Sequence, residues 1–138
     1  MCLADPAGVV AAAEPYSANT ISRVRYGRQV WEIELSDEVE KWYVGLGVRD
    51  RAFADRALDR LAAVGPALTM PHSRMLGGGL RELRFTCQGV ARRVTYYLDV
   101  ERKVITLTTF RKQRDNERRE VQRARQAMSR QRSDQENE

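Results

Sequence analysis

Four arginines interrupt otherwise apolar, strand-forming sequence in this 138-residue chain. Arg81, Arg84, Arg92 and Arg93 lie in the run LRELRFTCQGVARRVTYYLDVERKVITLTTF, from Leu80 to Phe110. An arginine in a strand gives up sheet propensity and resists burial, so several on adjacent strands imply a surface that holds anions. The guanidinium is a planar fork that matches two phosphate oxygens. Alternation along a strand puts Glu82 and Arg84 on one face and Leu83, Phe85 and Cys87 on the other. In the next strand Arg93, Thr95 and Tyr97 oppose Val94, Tyr96 and Leu98 by the same rule. The last strand runs directly into Arg111-Lys112.

Such a surface points to RNA, a polymer whose phosphodiester backbone can be cleaved without a metal. That reaction needs activation of a ribose 2′-hydroxyl, charge stabilisation at the phosphorane and protonation of the leaving 5′-oxygen. His72 is the only histidine, which excludes a histidine pair, and its place before a glycine run reads as a solvated loop position. The candidate catalytic residues are Arg84, Arg93, Lys112, Tyr97 and Glu82. Arg84 and Arg93 would hold the phosphate. Lys112 would stabilise the transition state or transfer a proton, and Tyr97 would stack on a base or donate a proton. Glu82 is a candidate base, although a structural pairing with Arg84 is the stronger reading. Arg81, Arg92, Arg111, Arg114 and Arg118 are the candidate RNA contacts. No metal site and no cofactor are called for. Gly77-Gly78-Gly79 lacks the context of a phosphate loop and reads as a tight turn into the following strand.

Several elements must position these residues. Val30–Leu35 fits a first strand by its alternation. Asp37 and Glu40 have capping-box spacing for a helix that buries Val39, Trp42, Tyr43 and Leu46. Asp50 caps a second helix with Ala54, Ala57, Leu58, Leu61 and Ala62 on one face, stopped by Gly65-Pro66. Residues 67–79 read as a loop. Strands follow over Leu80–Cys87, Arg92–Asp99 and Lys103–Phe110, then a helix over Asn116–Arg130 with a thin apolar stripe of Val121, Ala124, Ala127 and Met128. Trp31 and Trp42 read as core or partner-facing. The predicted fold is α+β, a small antiparallel-rich sheet in the order β-α-α-β-β-β-α. A helical hairpin covers one face, leaving the arginine face open as a groove. Residues 1–28 read as a loosely ordered leader, 29–131 as the domain and 132–138 as a disordered tail.

Composition narrows the partners. Residues 1–79 carry 9 basic and 10 acidic side chains, whereas residues 80–132 carry 15 and 6, so the positive charge is concentrated where the arginine strands lie. That asymmetry favours an anionic polymer. Cys2 and Cys87 make neither a disulfide framework nor a metal-ligand spacing, which fits a reducing cytoplasm. The Gly8–Ala13 stretch lacks the basic flank of a signal peptide, and no segment has the length of a membrane span.

One stretch resembles a known family. Pro71-His72-Ser73-Arg74-Met75-Leu76-Gly77-Gly78-Gly79-Leu80-Arg81-Glu82-Leu83-Arg84 is similar to the "P…K-L-G-x-G-L-x-E-L-R" pattern of HigB-like toxins, the phage-derived, Gp49-type branch of the RelE/ParE superfamily. Arg93-Val94-Thr95-Tyr96 resembles the R-V-x-Y strand of that family, and Thr109-Phe110-Arg111-Lys112 its x-F-x-K ending. Glu120 to Ala124 fits its E-I-x-x-A helix. The likeness spans about Val30 to Arg130, and the order and spacing of its motifs carry it. The second lysine, threonine and proline that often follow in the family are missing here.

The resemblance implies a RelE-like fold and the toxin of a toxin–antitoxin system, an endoribonuclease that cuts mRNA on the translating ribosome. By the same resemblance Arg93 takes the position of the arginine that is functional in the R-V-x-Y strand of that family. It further implies a cognate antitoxin with a helix-turn-helix domain, with operator DNA reached only through that antitoxin and no membrane partner. Two other readings stand on the same fold: a non-catalytic nucleic-acid-binding module, and an antitoxin-dependent transcriptional co-repressor.

Overall fold

The computed structural model describes residues 31–137 and, before them, the backbone of three two-residue strands. These are β1 (Thr20–Ile21), β2 (Val24–Arg25) and β3 (Arg28–Gln29). There follow β4 (Glu32–Glu34), α1 (Asp37–Val44), α2 (Val48–Val64), β5 (Ser73–Gly77), β6 (Leu80–Cys87), β7 (Val90–Leu98), β8 (Lys103–Arg111) and α3 (Glu117–Glu136). One mixed sheet runs in the order β1-β4-β8-β7-β6-β5, and β2 pairs only with β3. Within the sheet β4 lies parallel to β8, with Ile33 opposite Val104, and the other pairings are antiparallel. The fold is α+β, as the patterning predicts. Most of the segment read as a leader lies outside the described residues, although β1 brings Thr20 opposite Glu34.

Two apolar clusters sandwich the sheet. Ile33, Leu83, Val94, Tyr96 and Val104 meet Val39, Tyr43, Ala54, Leu58 and Leu61 of the α1–α2 hairpin. On the opposite face Leu80, Tyr97, Ile105 and Leu107 meet Ala124 and Met128 of α3. The single-face arrangement predicted from sequence therefore needs correcting: α3 covers part of the arginine face. Its stripe of Val121, Ala124, Ala127 and Met128 is thin, but it is long enough to close over Tyr97 and the middle of β8.

Local chemistry explains the boundaries that moved. Ser36, not Asp37, caps α1; its Oγ accepts from the Val39 N–H at 3.2 Å and donates to the Leu107 carbonyl at 2.8 Å. The cap thus also ties the helix to the edge of β8. Helix α2 begins behind Gly47, ahead of Asp50, and ends at Gly65, whose φ of 53° an L side chain rarely adopts. A Cβ at Gly65 would stand 2.4 Å from the Trp31 ring, so the close approach of that ring requires the glycine.

The stretch read as a loop contains a strand. Gly77, Gly78 and Gly79, all at positive φ, fold Ser73–Gly77 back onto β6 as an antiparallel edge. The glycine turn is as predicted; the strand before it is an addition to the predicted order. At the other end, α3 continues to Glu136 through the segment read as a disordered tail. Arg132 lies 4.7 Å over the Tyr97 ring and the Tyr97 hydroxyl donates to Gln135 at 3.1 Å, contacts that hold those last turns down. No helix of the described residues is long and apolar enough to cross a membrane.

Candidate functional site: a cationic cluster around Glu82

Register builds the site. Arg84 stands directly opposite Arg93 across β6 and β7, and Glu82 directly opposite Arg74 across β6 and β5. All four side chains belong to the face that α3 only partly covers. The ladder continues past β8, where the Lys112 N–H donates to the Ala91 carbonyl at 2.8 Å, and so carries Lys112 to the same end of the sheet. Helix α3 begins there: Glu117, in its first turn, takes Arg74 at 2.9 Å and faces the Lys112 ammonium at 3.7 Å. Arg74, Arg84, Arg93 and Lys112 thus surround two carboxylates, Glu82 and Glu117.

Two like charges opposed across adjacent strands repel, and Glu82 offsets that repulsion. Its Oε2 accepts from Arg84 at 3.0 Å and faces the Arg93 Nε at 3.6 Å. Glu82 is 1% exposed, and its Oε1 is buried with no hydrogen-bond partner among the described residues. Burial pushes the Glu82 carboxyl above its ordinary value, against the opposing pull of Arg93 and then Arg84. Burial also lowers the Arg93 guanidinium, and the Arg84 charge adds to that effect. Arg93 is 8% exposed, whereas Arg84, Arg74 and Lys112 keep wetter side chains. The cluster is therefore a graded one, with a deep guanidinium behind a rim of mobile-length cations. Guanidinium forks and an ammonium in this arrangement have the donor chemistry to hold a tetrahedral anion. It offers few groups for proton transfer: its two carboxylates, Glu82 and Glu117, are both ion-paired, and no histidine side chain pairs with them.

A comparison with protein families decides the lineage: residues 41–129 match the family described as "Phage derived protein Gp49-like (DUF891)". The chain belongs to the Gp49-like family. That family is toxin-like, of the RelE/HigB type. No curated protein and no solved structure matches the chain. The matched span of this Gp49-like protein runs from within α1 into α3 and contains every member of the cationic cluster.

Of the residues predicted for the site, the structure brings together Arg84, Arg93, Lys112 and Glu82. Tyr97 shares their face but is placed elsewhere: it is buried under the last turns of α3, capped by Arg132 and Gln135. At 2% exposure it packs and presents no ring face to a base, and the same burial raises its phenol above the ordinary value. Arg81 and Arg92 face the opposite side of the sheet from Arg84 and Arg93. Arg81 reaches the Pro66 carbonyl, and Arg92 covers the Trp42 ring while its Nε donates to Thr109 Oγ1 at 3.0 Å. Arg111, opposite Arg92 in register, goes with that side. Arg114 is exposed in the loop after β8 and Arg118 in the first turn of α3, both close in sequence to Lys112 and Glu117. His72 lies opposite Arg84, whose N–H donates to the His72 carbonyl at 2.8 Å, while its ring lies against Arg60 of α2 at 3.1 Å.

Two members escaped sequence reasoning. Arg74 sits in a stretch read as a loop, so its phase had no meaning until the glycine turn paired it with Glu82. Glu117 shares the first turn of α3 with Glu120, and it is Glu120 that pairs within the helix, with Arg123. A hairpin reading of Ser73–Leu83 about the three glycines would have found Arg74; no sequence signal marks Glu117. Among the described residues no three His, Cys, Asp or Glu side chains come together as a metal ion would need.

Proposed function

We propose that this Gp49-like protein is the toxin of a type II toxin–antitoxin system, a metal-independent endoribonuclease that cleaves mRNA on the translating ribosome. The observation that carries the reading is the Arg84–Arg93 pair, opposed across two strands and joined by Lys112 at one open end of the sheet. Arg93 and Arg84 hold the non-bridging oxygens of the scissile phosphate and offset the charge that grows on the phosphorane. The 2′-oxygen attacks the phosphorus and the P–O5′ bond breaks; Lys112, at the rim, reaches the 2′-oxygen or the leaving 5′-oxygen and transfers the proton there, and water exchanges the proton at the other. The product is a 2′,3′-cyclic phosphate. Glu82 belongs to the positioning of the arginines, and Tyr97 is assigned no part.

Because strong bases are scarce around the cluster, alignment of the 2′-hydroxyl with the phosphate must come from elsewhere. The ribosome supplies it by fixing the message in an in-line geometry. Arg114 and Arg118, exposed beside the site, extend the positive surface along the RNA path. An antitoxin with a helix-turn-helix domain neutralises the protein and carries it to operator DNA.

Controlled expression in a bacterial host, with mapping of new mRNA 5′ ends, tests this. Wild type arrests growth and leaves cuts in translated messages, and Arg93→Ala and Lys112→Ala at matched protein levels do neither. Soluble wild-type protein that gives no cuts and no arrest, in this host and a related one, refutes the nuclease. RNA affinity without cutting would then favour a binding module.

A further inference from the structure

The deepest guanidinium of the cluster is already occupied. Glu82 holds Oε2 at 3.0 Å from Arg84 and 3.6 Å from the Nε of Arg93, while Oε1 is buried without a hydrogen-bond partner among the described residues. A carboxylate bonded to protein through one oxygen and buried at the other is poorly compensated for a structural ion pair. Its hold on the negative charge depends on the two arginines. Those same guanidinium edges are what a phosphodiester requires.

We propose that Glu82 is a resident competitor at the phosphate site: in the free protein its carboxylate takes the contacts of Arg84 and Arg93 that a phosphodiester takes on binding. The inference rests on the reading of Arg84 and Arg93 as the phosphate-holding pair. When the phosphodiester docks, its charge uses the guanidinium field that had stabilised the carboxylate. Glu82 then lies buried beside a second anion, and it accepts one proton from solvent. Two anions sharing one site cannot both stay ionised. The upward push that burial already exerts on its carboxyl works in the same direction.

The groups facing Glu82 from each surrounding element fit this account. Arg74 on β5, Arg84 on β6 and Arg93 on β7 favour the charged form, whereas Glu117 on α3 opposes it. Arg74 is itself held by Glu117, which also faces Lys112, so Arg74 gives Glu82 little spare compensation. Binding of an anion is therefore linked to proton uptake, and affinity rises as pH falls toward the ordinary carboxylate range.

The probe is a labelled single-stranded DNA oligonucleotide, which lacks the 2′-hydroxyl and is not cut. Calorimetry in buffers of different ionisation enthalpy reads the protons taken up on binding. The expected results are proton uptake by wild type at neutral pH, and binding by Glu82→Gln about tenfold tighter with the uptake lost, since removing one like charge at contact range is worth roughly that factor. Uptake unchanged in Glu82→Gln, or no gain in its affinity, overturns the competitor while weakened binding by Arg84→Ala and Arg93→Ala leaves the phosphate site standing. Arginine variants that bind as well as wild type overturn both. If Glu82→Gln does not fold, His72→Gln and Glu117→Gln are read together, since His72 is the single histidine of the chain and Glu117 the other carboxylate of the cluster: uptake that persists in both supports Glu82, and uptake lost in either refutes it.

Discussion

Glu82 answers two opposed demands, and its ionisation can be read apart from any ligand. Burial favours the neutral acid and the flanking arginines favour the carboxylate, with burial ahead. A carboxyl raised in the fold above its ordinary 4.5 binds more protons folded than unfolded in the interval just above that value. Stability contributed by this group is therefore present at lower pH and falls as pH rises through the interval. Glu82→Gln lacks the group and lacks that slope. Thermal unfolding followed from below pH 4.5 to neutrality should place the variant progressively higher relative to wild type as pH rises. A gap that moves the other way would mean that Arg84 and Arg93 more than offset the burial. Strand phase made much of this cluster legible: Glu82, Arg84 and Arg93 fall on one face by alternation alone. The same alternation separates Arg81 and Arg92 from them, so positive charge in sequence was a poorer guide to the surface than parity. Tyr97 has the right parity, but parity does not say what lies above a face, and α3 lies above Tyr97.

Helix and strand boundaries followed the sequence where a strong local signal coincided with packing. Leu80–Cys87 is a strand over the predicted residues, because its apolar face meets α2 and its ends are a glycine turn and Gln88-Gly89. The α2 face of Ala54, Ala57, Leu58, Leu61 and Ala62 is buried throughout. Elements whose partners are distant in sequence were harder to read. Strand β5 has one buried residue, Ser73, bonded to the Tyr96 hydroxyl at 2.6 Å, so it lacks the alternation that marks a strand. The last turns of α3 are strongly polar, and Tyr97, 38 residues before Gln135, gives them a surface to dock on. Their dependence on that docking is testable. Ending the chain after Arg130 removes the Arg132 and Gln135 contacts to Tyr97 and exposes its ring. Denaturant unfolding should register a loss of about 1–2 kcal/mol, the range for one cation–π contact and one hydrogen bond. Unchanged stability would show these turns to be passengers.

Across the whole molecule, charge and topology divide the two sides of the sheet. The α1–α2 hairpin closes one side with the larger core cluster. The other side is closed over only part of its area by α3, whose Arg123 clasps Glu38 of α1 through bonds of 2.6 and 3.0 Å. That clasp crosses the outer edge of β8, where Glu38 also accepts from the Thr109 N–H at 2.9 Å, and it fixes the helix against the sheet. The first turn of α3 is thereby held beside the cluster, so the open area is bounded by Arg74, Arg84, Lys112 and Glu117. A polyanion that uses this area meets one face only, and the salt dependence of binding separates the faces. Each phosphate contact to a single strand contributes about −0.7 to the slope of log affinity against log salt. Arg84→Ala combined with Lys112→Ala should make the slope for single-stranded RNA shallower by about 1.4. Arg49→Ala combined with Arg81→Ala removes the same formal charge from the hairpin side and should leave it unchanged. Equal shifts for both pairs would mean that the RNA responds to net charge alone, and the division between the faces would then carry no recognition.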